Sequence, residues 1–120
     1  MRIGRVADLT GLSLRTLRHY DEIGLVSPSS HTEGGFRLYT ALDVKRLLLI
    51  RRMKPLGYTL EQMQETLASV DLVSGAPIKP SRLAQIIADA QERRAALDQK
   101  VRMADEFLAA LKEIAGEHHG

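Results

Sequence analysis

The sequence predicts a mainly α-helical protein in which a winged helix-turn-helix with a small β-hairpin wing precedes a long C-terminal dimerisation helix. Three observations predict this fold class. A short helix is followed by a glycine turn and by a second helix with apolar residues on one face and arginines on the other. Residues 27–39 have the composition and alternation of a β-hairpin. Residues 82–115 keep an apolar 4-3 spacing without Pro or Gly.

The 120 residues suffice for one small domain and an extension. Charge is distributed unevenly along them. Residues 1–58 carry ten Lys and Arg against five Asp and Glu, a net charge of +5. Residues 59–120 carry seven against ten, a net charge of −3. A basic half suits a polyanion and a mildly acidic half suits a protein partner.

The chain contains no cysteine, which excludes a disulfide, a thiolate metal site and a cysteine nucleophile within these residues. The N-terminus lacks the pattern of a signal peptide. The longest aliphatic block, residues 47–50, is too short to span a bilayer. We therefore expect a cytoplasmic protein without a membrane partner.

The first two helices form the predicted helix-turn-helix. The first covers residues 3–9, and its candidate core residues are Ile3, Val6, Ala7 and Leu9. Gly11 suits the turn, Ser13 is the predicted N-cap of the second helix, and Gly24 is its predicted C-cap. The residues predicted to face inward are Leu14, Leu17 and Tyr20. The residues left for the outward face are Arg15, Thr16, Arg18 and His19.

The predicted wing runs from Ser27 to Tyr39 and turns at a Gly-Gly pair. Alternation puts Phe36 and Leu38 on one face, which we expect to pack on the helices, and Arg37 and Tyr39 on the other. The alternative is that the latter pair is merely solvated on an exposed strand. Their place beside a basic helix favours a role in binding.

Thr40, with Asp43 at the N3 position, is predicted to cap a third helix, which Pro55 and Gly57 end. Its candidate core residues are Leu42, Leu47, Leu49, Ile50 and Met53. Thr59 is predicted to cap a fourth helix, whose apolar positions are Leu60, Met63, Leu67 and Val70. At the corner between them, Lys54 and Tyr58 suit a phosphate contact, although an ordinary helix corner explains them equally well.

We predict a DNA-binding domain over residues 1–70, a linker over 71–81, a coiled-coil helix over 82–115 and a flexible tail over 116–120. Arg94 and Ala115 belong to the spacing of the long helix, whose predicted dimerisation residues are Leu83, Ile87, Ala90, Leu97, Val101, Ala104, Leu108 and Leu111. So long and narrow a seam requires a partner helix, most simply a second copy. The alternative is a helix folded back on its own domain. The adjacent histidines of the tail are a weak metal signal, and we expect neither a metal nor a cofactor.

The first seventy residues resemble the DNA-binding domain of the MerR family of bacterial transcription regulators. The matching motifs, in family order, lie at 3–7, 11–25, 33–39 and 56–61, and a long helix follows. The resemblance implies a homodimer whose long helices pair antiparallel. It also implies two recognition helices in successive major grooves of a near-palindrome, with the wings on the backbone.

By the resemblance, the DNA-binding residues are Arg15, Thr16, Arg18, His19, Tyr20, Arg37, Tyr39, Lys54 and Tyr58. Arg15 is our candidate for a base-edge contact, since a guanidinium can bridge two acceptors of guanine. Arg18, Tyr20, Arg37, Tyr39 and Lys54 are expected to hold phosphates. Family members usually carry an aromatic residue where His19 stands, so stacking, hydrogen bonding and no role all remain open there.

The resemblance further implies a regulator that deforms promoter DNA when an effector binds, so that RNA polymerase can engage both promoter elements. Metal- and redox-sensing relatives use cysteines near the end of the long helix, and this chain has none. We therefore predict no thiolate-bound metal or iron–sulfur cluster and leave the effector unassigned. The alternative function is a winged-helix and coiled-coil interaction or DNA-accessory module without effector-controlled transcription. No catalytic motif indicates an enzyme.

Overall fold

The computed structural model describes residues 1–70 and 77–119 and confirms the predicted fold class. Its helices and strands are α1 (Ile3–Thr10), α2 (Leu14–Glu22), β1 (Ser30–His31), β2 (Arg37–Leu38), α3 (Ala41–Met53), α4 (Leu60–Ser69) and α5 (Pro80–His119). A single 3-10 turn, Lys54–Leu56, continues from the end of α3. The chain divides after Arg82 into a compact first unit and a second unit that begins at Leu83.

The turn between α1 and α2 depends on Gly11, whose φ of 72° lies in the left-handed region. Its N–H donates to the carbonyl of Ala7 at 2.9 Å and so ends α1. Ser13 then caps α2 as predicted, because its Oγ accepts the N–H of Thr16 at 3.0 Å. Gly11 and Ser13 together fix the direction in which α2 leaves the turn.

The C-terminal end of α2 is a Schellman motif. Ile23 is the cap residue, and Gly24, the predicted C-cap, follows it by one position with a φ of 72°. The N–H of Gly24 donates to Asp21 at 3.1 Å and that of Leu25 donates to Tyr20 at 2.9 Å. Leu25 is itself buried, so the chain leaves α2 along the core.

The core of the first unit lies where α1 and α2 pack against each other and α1 packs on α3. Its buried apolar residues are Val6, Leu17, Tyr20, Leu25, Val26, Tyr39, Leu47, Ile50, Met53 and Met63. Ile3, Ala7, Leu49 and Leu67 are partly buried against this cluster.

Three leucines predicted to face inward are exposed instead: Leu9 by 45%, Leu14 by 40% and Leu60 by 43%. Leu14 and Leu60 open their helices, and a helical side chain leans towards the N-terminus, which here carries it past the end of the core. On α1, Val6 and Thr10 occupy the buried side four residues apart, which leaves Leu9 beside it.

In the hairpin, Ser30 pairs with Leu38 and His31 with Arg37 in antiparallel register. The predicted faces hold for Leu38, which is half-buried, and for Arg37, which is exposed, but are wrong for Phe36 and Tyr39. Tyr39 is 3% exposed, whereas Phe36 is 61% exposed. The Tyr39 ring fills the core, whereas Arg37 stays exposed and pairs with the Asp21 carboxylate on α2.

Asp43 performs more than the predicted capping of α3, since its carboxylate is 1% exposed and joins two segments. Its Oδ2 accepts the Thr40 N–H at 2.8 Å, the Ser29 N–H at 3.1 Å and the Ser29 hydroxyl at 2.7 Å. Arg46 donates to Oδ1 at 3.4 Å. The start of the wing is thereby fastened to the N-terminus of α3.

We expect Asp43→Ala to lower the free energy of unfolding by about 3 kcal/mol, since it removes the buried carboxylate that accepts the N–H groups of Thr40 and Ser29. Urea denaturation monitored by circular dichroism would measure the change. Asp43→Asn keeps an acceptor oxygen and should cost less. Asp8→Ala removes an exposed carboxylate of α1 and should change stability by less than about 0.5 kcal/mol. Equal losses in the Asp43→Ala and Asp8→Ala variants would contradict this role.

The corner after α3 and the cap of α4 follow the prediction. Gly57, with a φ of 83°, ends the 3-10 turn that contains Pro55. Thr59 and Gln62 form a capping box, in which the Thr59 Oγ1 accepts the Gln62 N–H at 3.1 Å and the Gln62 side chain accepts the Thr59 N–H at 2.9 Å.

The long helix α5 has 40 residues, which corresponds to about 60 Å. It begins with Pro80 in the first helical position, so residues 80–81 of the predicted linker are helical; residues 71–76 lie outside the described residues. It also continues through Gly116 to His119, where we predicted a flexible tail. A single glycine costs about 1 kcal/mol in a helix and does not end one this long. None of the described helices is both long and apolar enough to cross a membrane.

Candidate nucleic-acid interface

The outward face of α2 forms one wall of an open depression of about 620 Å³. Arg15, Thr16, Arg18 and His19 line it from α2, and Lys54 lines it from the turn after α3. Tyr20 also lines it, so the structure brings together six residues predicted from the sequence to bind DNA, from two elements about 35 residues apart. Three of these six carry a positive charge against the single carboxylate of Glu22 in the lining, so the depression suits an anionic ligand.

The inward side of α2 holds this face in place. Leu17 is fully buried and Tyr20 is 4% exposed. The His19 ring lies beside the Tyr20 ring, with centroids 6.2 Å apart and planes inclined by 42°. Thr16 is half-buried and its Oγ1 accepts the Ser13 hydroxyl at 2.9 Å. Arg15 and Arg18 point outward from this anchored side, and both side chains are exposed.

Arg37 connects the wing to α2 through a two-point ion pair with Asp21. Its two terminal nitrogens donate to the two carboxylate oxygens of Asp21 at 2.9 Å each. The Arg37 side chain is 51% exposed, so the pair sets the orientation of the wing more than it adds stability. An incoming phosphate has to share or displace the Asp21 carboxylate.

A second depression, of about 330 Å³, lies between the wing, α1 and α2. Arg2, Arg18, Phe36, Arg37 and Tyr39 are among its lining residues. Arg18 borders both depressions, so the basic surface continues from α2 onto the wing. Burial raises the pKa of the Tyr39 phenol, with a smaller contribution from the Asp21 carboxylate, and the hydroxyl stays protonated near neutral pH.

Lys54 and Tyr58, which were predicted together at the corner before α4, differ in exposure. Lys54 is exposed beside α2, whereas Tyr58 is partly buried against the core of the first unit. The backbone of Tyr39, for its part, pairs with the first residue: its N–H donates to the Met1 carbonyl at 2.7 Å and its carbonyl accepts the Met1 ammonium at 2.6 Å. Tyr20 and Tyr39 are both core residues.

Arg2 and Phe36 are candidate interface residues that the sequence did not identify. The Arg2 guanidinium carbon lies 5.1 Å from the centroid of the Phe36 ring, a cation–π contact at the edge of the second depression. Arg2 precedes the first helix, and the predicted alternation assigned Phe36 to the core. The contact of Arg2 with Phe36 joins two segments that are distant in sequence, so only the fold locates it.

The predicted dimerisation residues all lie on α5, within the second unit. Several are strongly exposed in the single chain: Ile87 by 48%, Val101 by 57% and Leu108 by 52%. Such a row of exposed apolar side chains marks an interaction surface. In the part of the chain that the structure describes, no three His, Asp or Glu side chains cluster as a metal site would require.

Comparison with known proteins identifies relatives over the whole length. Residues 1–70 match the family model for MerR HTH family regulatory proteins. Heavy metal-dependent transcription regulator 2 of Rhizobium meliloti is 36% identical over 120 residues, which cover 100% of this chain and 78% of that protein.

Two solved structures are similar as well. A MerR-family transcriptional regulator of Bacillus cereus gives a TM-score of 0.71 at 28% identity, covering 94% of this chain and 78% of that one. The N-terminal part of the multidrug transporter activator MtaN of Bacillus subtilis gives 0.61 at 30% identity, covering 94% of this chain and 95% of that one.

Proposed function

Because this chain belongs to the MerR family of transcription regulators, we propose that it binds a near-palindromic promoter operator as a homodimer under the control of an effector. The observation that carries the proposal is the depression in which α2 and Lys54 meet. A helix with exposed guanidinium groups beside a further cation suits a major groove flanked by phosphates.

We assign base recognition first to Arg15, whose exposed guanidinium can bridge O6 and N7 of a guanine. Thr16 and His19 share the same wall of the depression and are placed to contact neighbouring bases. The His19 ring lies tilted beside the Tyr20 ring, and we assign it a hydrogen-bonding role rather than stacking on a base.

Phosphate binding falls to Arg18, Arg37 and Lys54, which are exposed. Tyr20 and Tyr39 are 4% and 3% exposed, so we assign them positioning roles behind Arg18 and Arg37. This revises our expectation that both phenols hold phosphates. Tyr58, half-buried at the corner before α4, remains a candidate phosphate contact.

Dimerisation is assigned to the seam of α5, with the two helices antiparallel. This pairing places the first unit of one protomer at one end of the coiled coil and the first unit of its partner at the other end. The two copies of α2 can then enter two major grooves of one operator. We further propose that the bound dimer deforms the promoter for RNA polymerase. Such a deformation costs on the order of several kcal/mol, which phosphate contacts from both protomers would offset.

The amino-acid composition of the chain limits the kind of effector that it can bind. The relative from Rhizobium meliloti is named for dependence on heavy metals, but these 120 residues contain no cysteine and cannot supply a thiolate ligand. We propose that an effector binds either between the two protomers near the coiled coil or to residues beyond this chain.

The proposal is tested by fluorescence anisotropy with promoter DNA that flanks the gene and with a scrambled duplex of equal composition. We expect at least about 10³-fold preference for the promoter duplex. With three phosphate-binding cations in each protomer, the slope of log K against log salt should be about −5. Equal affinity for both duplexes at moderate salt would overturn the proposal. A footprint outside the promoter elements would favour a DNA-accessory module.

A further inference from the structure

The seam of α5 contains one charged residue, Arg94, among nine apolar ones. Arg94 is exposed in the single chain, and no salt bridge joins it to another residue that the structure describes. By contrast, Arg93 and Arg102, which lie off the seam, pair with Asp89 at 2.8 Å and with Asp98 at 3.1 Å on their own helix. A charge in a coiled-coil seam is costly unless it finds a counter-charge there. Arg94 therefore requires a carboxylate on the helix that covers the seam.

The antiparallel pairing proposed above, on which this inference rests, determines what faces Arg94. The alignment that is symmetric about residue 99 brings all ten seam positions of one helix opposite those of the other. In this alignment each of the three seam alanines meets a larger side chain, so the two helices are complementary in volume. The facing pairs are Leu83 with Ala115, Ile87 with Leu111, Ala90 with Leu108, Arg94 with Ala104, and Leu97 with Val101.

The partner's Ala104 and the partner's Asp105 together form a site for the Arg94 side chain. A seam residue inserts between four residues of the facing helix, and for Arg94 these include both of them. The methyl group of the alanine leaves room for the aliphatic stem of Arg94, and the carboxylate stands at the edge of the seam. Asp105 is exposed and has no salt bridge within the described part of its own chain. Because the dimer is two-fold symmetric, the contact occurs twice.

A slip of the pair by one heptad removes this match. In one direction the two Arg94 side chains come within about one helical turn of each other, where the Asp98 carboxylate is already paired with Arg102 of its own chain. In the other direction Arg94 lies beside the partner's Lys112. Either slip also leaves one heptad of each seam uncovered. Charge, volume and overlap therefore favour the same register.

We propose that Arg94 of each protomer forms an ion pair with Asp105 of its partner, and that these two pairs select the register and the partner of the coiled coil. A slip of one heptad would move the helix ends by about 10 Å relative to each other. The half-sites of an operator lie one helical turn of DNA, about 34 Å, or a multiple of it apart, so the register has to be unique. A long helix that lacks the small residue and the carboxylate is rejected as a partner.

Charge exchange tests the ion pair by sedimentation equilibrium. Arg94→Asp and Asp105→Arg should each raise the dimer dissociation constant by at least about 10²-fold, tenfold for each of the two contacts. An equimolar mixture of the two variants should form a heterodimer within about threefold of the parent affinity, because both contacts then join opposite charges. The double variant should form its own dimer and should not exchange with the parent. The matched control is Arg102→Asp, which makes the same change off the seam and should leave dimerisation unchanged.

The register is measured with thiol pairs, since the chain has no native cysteine. Ala90→Cys and Leu108→Cys lie about 27 Å apart along one helix, so a short bifunctional thiol reagent can join them only between chains. This pair should yield covalent dimer on a denaturing gel. The control pair, Ala90→Cys with Val101→Cys, faces only after a slip of one heptad and should yield little.

Arg94→Leu separates the choice of register from stability. The variant makes the seam wholly apolar, so the dimer should be at least as tight as that of the parent. It should nevertheless raise the yield of the slipped thiol pair at least about fivefold, because nothing then opposes the slip. A merely stabilising arginine would change the dissociation constant and leave the ratio of the two thiol pairs unaltered, which would contradict the proposed role.

The outcomes distinguish this inference from the proposed function. A dimeric parent protein whose single-charge variants dimerise normally, or are not rescued by mixing, overturns the inference alone. A monomeric parent overturns the proposed dimer as well. If Arg94→Asp pairs more tightly with the parent than with Asp105→Arg, the helices are parallel and both proposals fail. Rescue by mixing, together with covalent dimer from the in-register thiol pair only, supports the ion pair.

Discussion

Replacing Leu97 with aspartate is expected to turn the protein into a monomer and to weaken operator binding by about 10³-fold or more. Leu97 lies two residues from the midpoint of the seam, so the variant places two carboxylates close together on the axis of the proposed coiled coil. Burying them costs several kcal/mol. A monomer engages one half-site and loses the joint binding of two, which accounts for the large loss of affinity.

Sedimentation equilibrium measures the first effect and fluorescence anisotropy the second. The matched control is Ala95→Asp, which adds the same carboxylate to an exposed position two residues away, on the side of α5 opposite the seam. The control should stay dimeric and bind DNA nearly as the parent does. Dimerisation that survives Leu97→Asp would show that α5 does not pair through this seam.

Replacing Arg15 with alanine is expected to cost about 2–6 kcal/mol on the operator, which is twice the value of one bidentate contact with guanine because the dimer has two. The loss on scrambled DNA should be much smaller, since the contact reads a base. Lys54→Ala should weaken binding to both duplexes alike and reduce the steepness of the salt dependence by about 2 for the dimer.

Anisotropy titrations on the operator, on single-base variants of it and on the scrambled duplex distinguish the two roles. Arg102→Ala is the control for charge alone, since Arg102 is an exposed residue of α5 paired with Asp98 at 3.1 Å. It should change neither preference nor salt dependence appreciably. If Arg15→Ala and Lys54→Ala had the same profile on all three duplexes, the division between base reading and phosphate binding would be wrong.

Much of the local structure could be predicted because it depends on residues close in sequence. Ser13, Thr40 and Thr59 cap helices through side chains that reach backbone groups three residues away. Gly11 and Gly57 adopt the left-handed conformation at the ends where it was expected. The spacing of Leu17 and Tyr20 identified the buried side of α2.

The site could be predicted in composition more than in arrangement. Arg15, Thr16, Arg18, His19 and Lys54 were identified from the sequence, and they share one depression. Tyr20 and Tyr39 carry a phenol that suits a phosphate, but both rings lie in the core. Whether a tyrosine serves the core or the surface depends on which neighbours fill the space around it, and those neighbours are distant in sequence.

The sequence by itself determined the helix-turn-helix, the caps, the turn of the wing and the continuous apolar spacing of α5, because each follows from propensity and periodicity over a few residues. The tertiary structure decided which residues of the wing are buried. Tyr39 joins the core, whereas the exposed Arg37 pairs with Asp21, sixteen residues away on α2. The tertiary structure also made Asp43 a buried acceptor for Ser29 on the wing segment. Contacts between elements decide such features, and no local pattern encodes them.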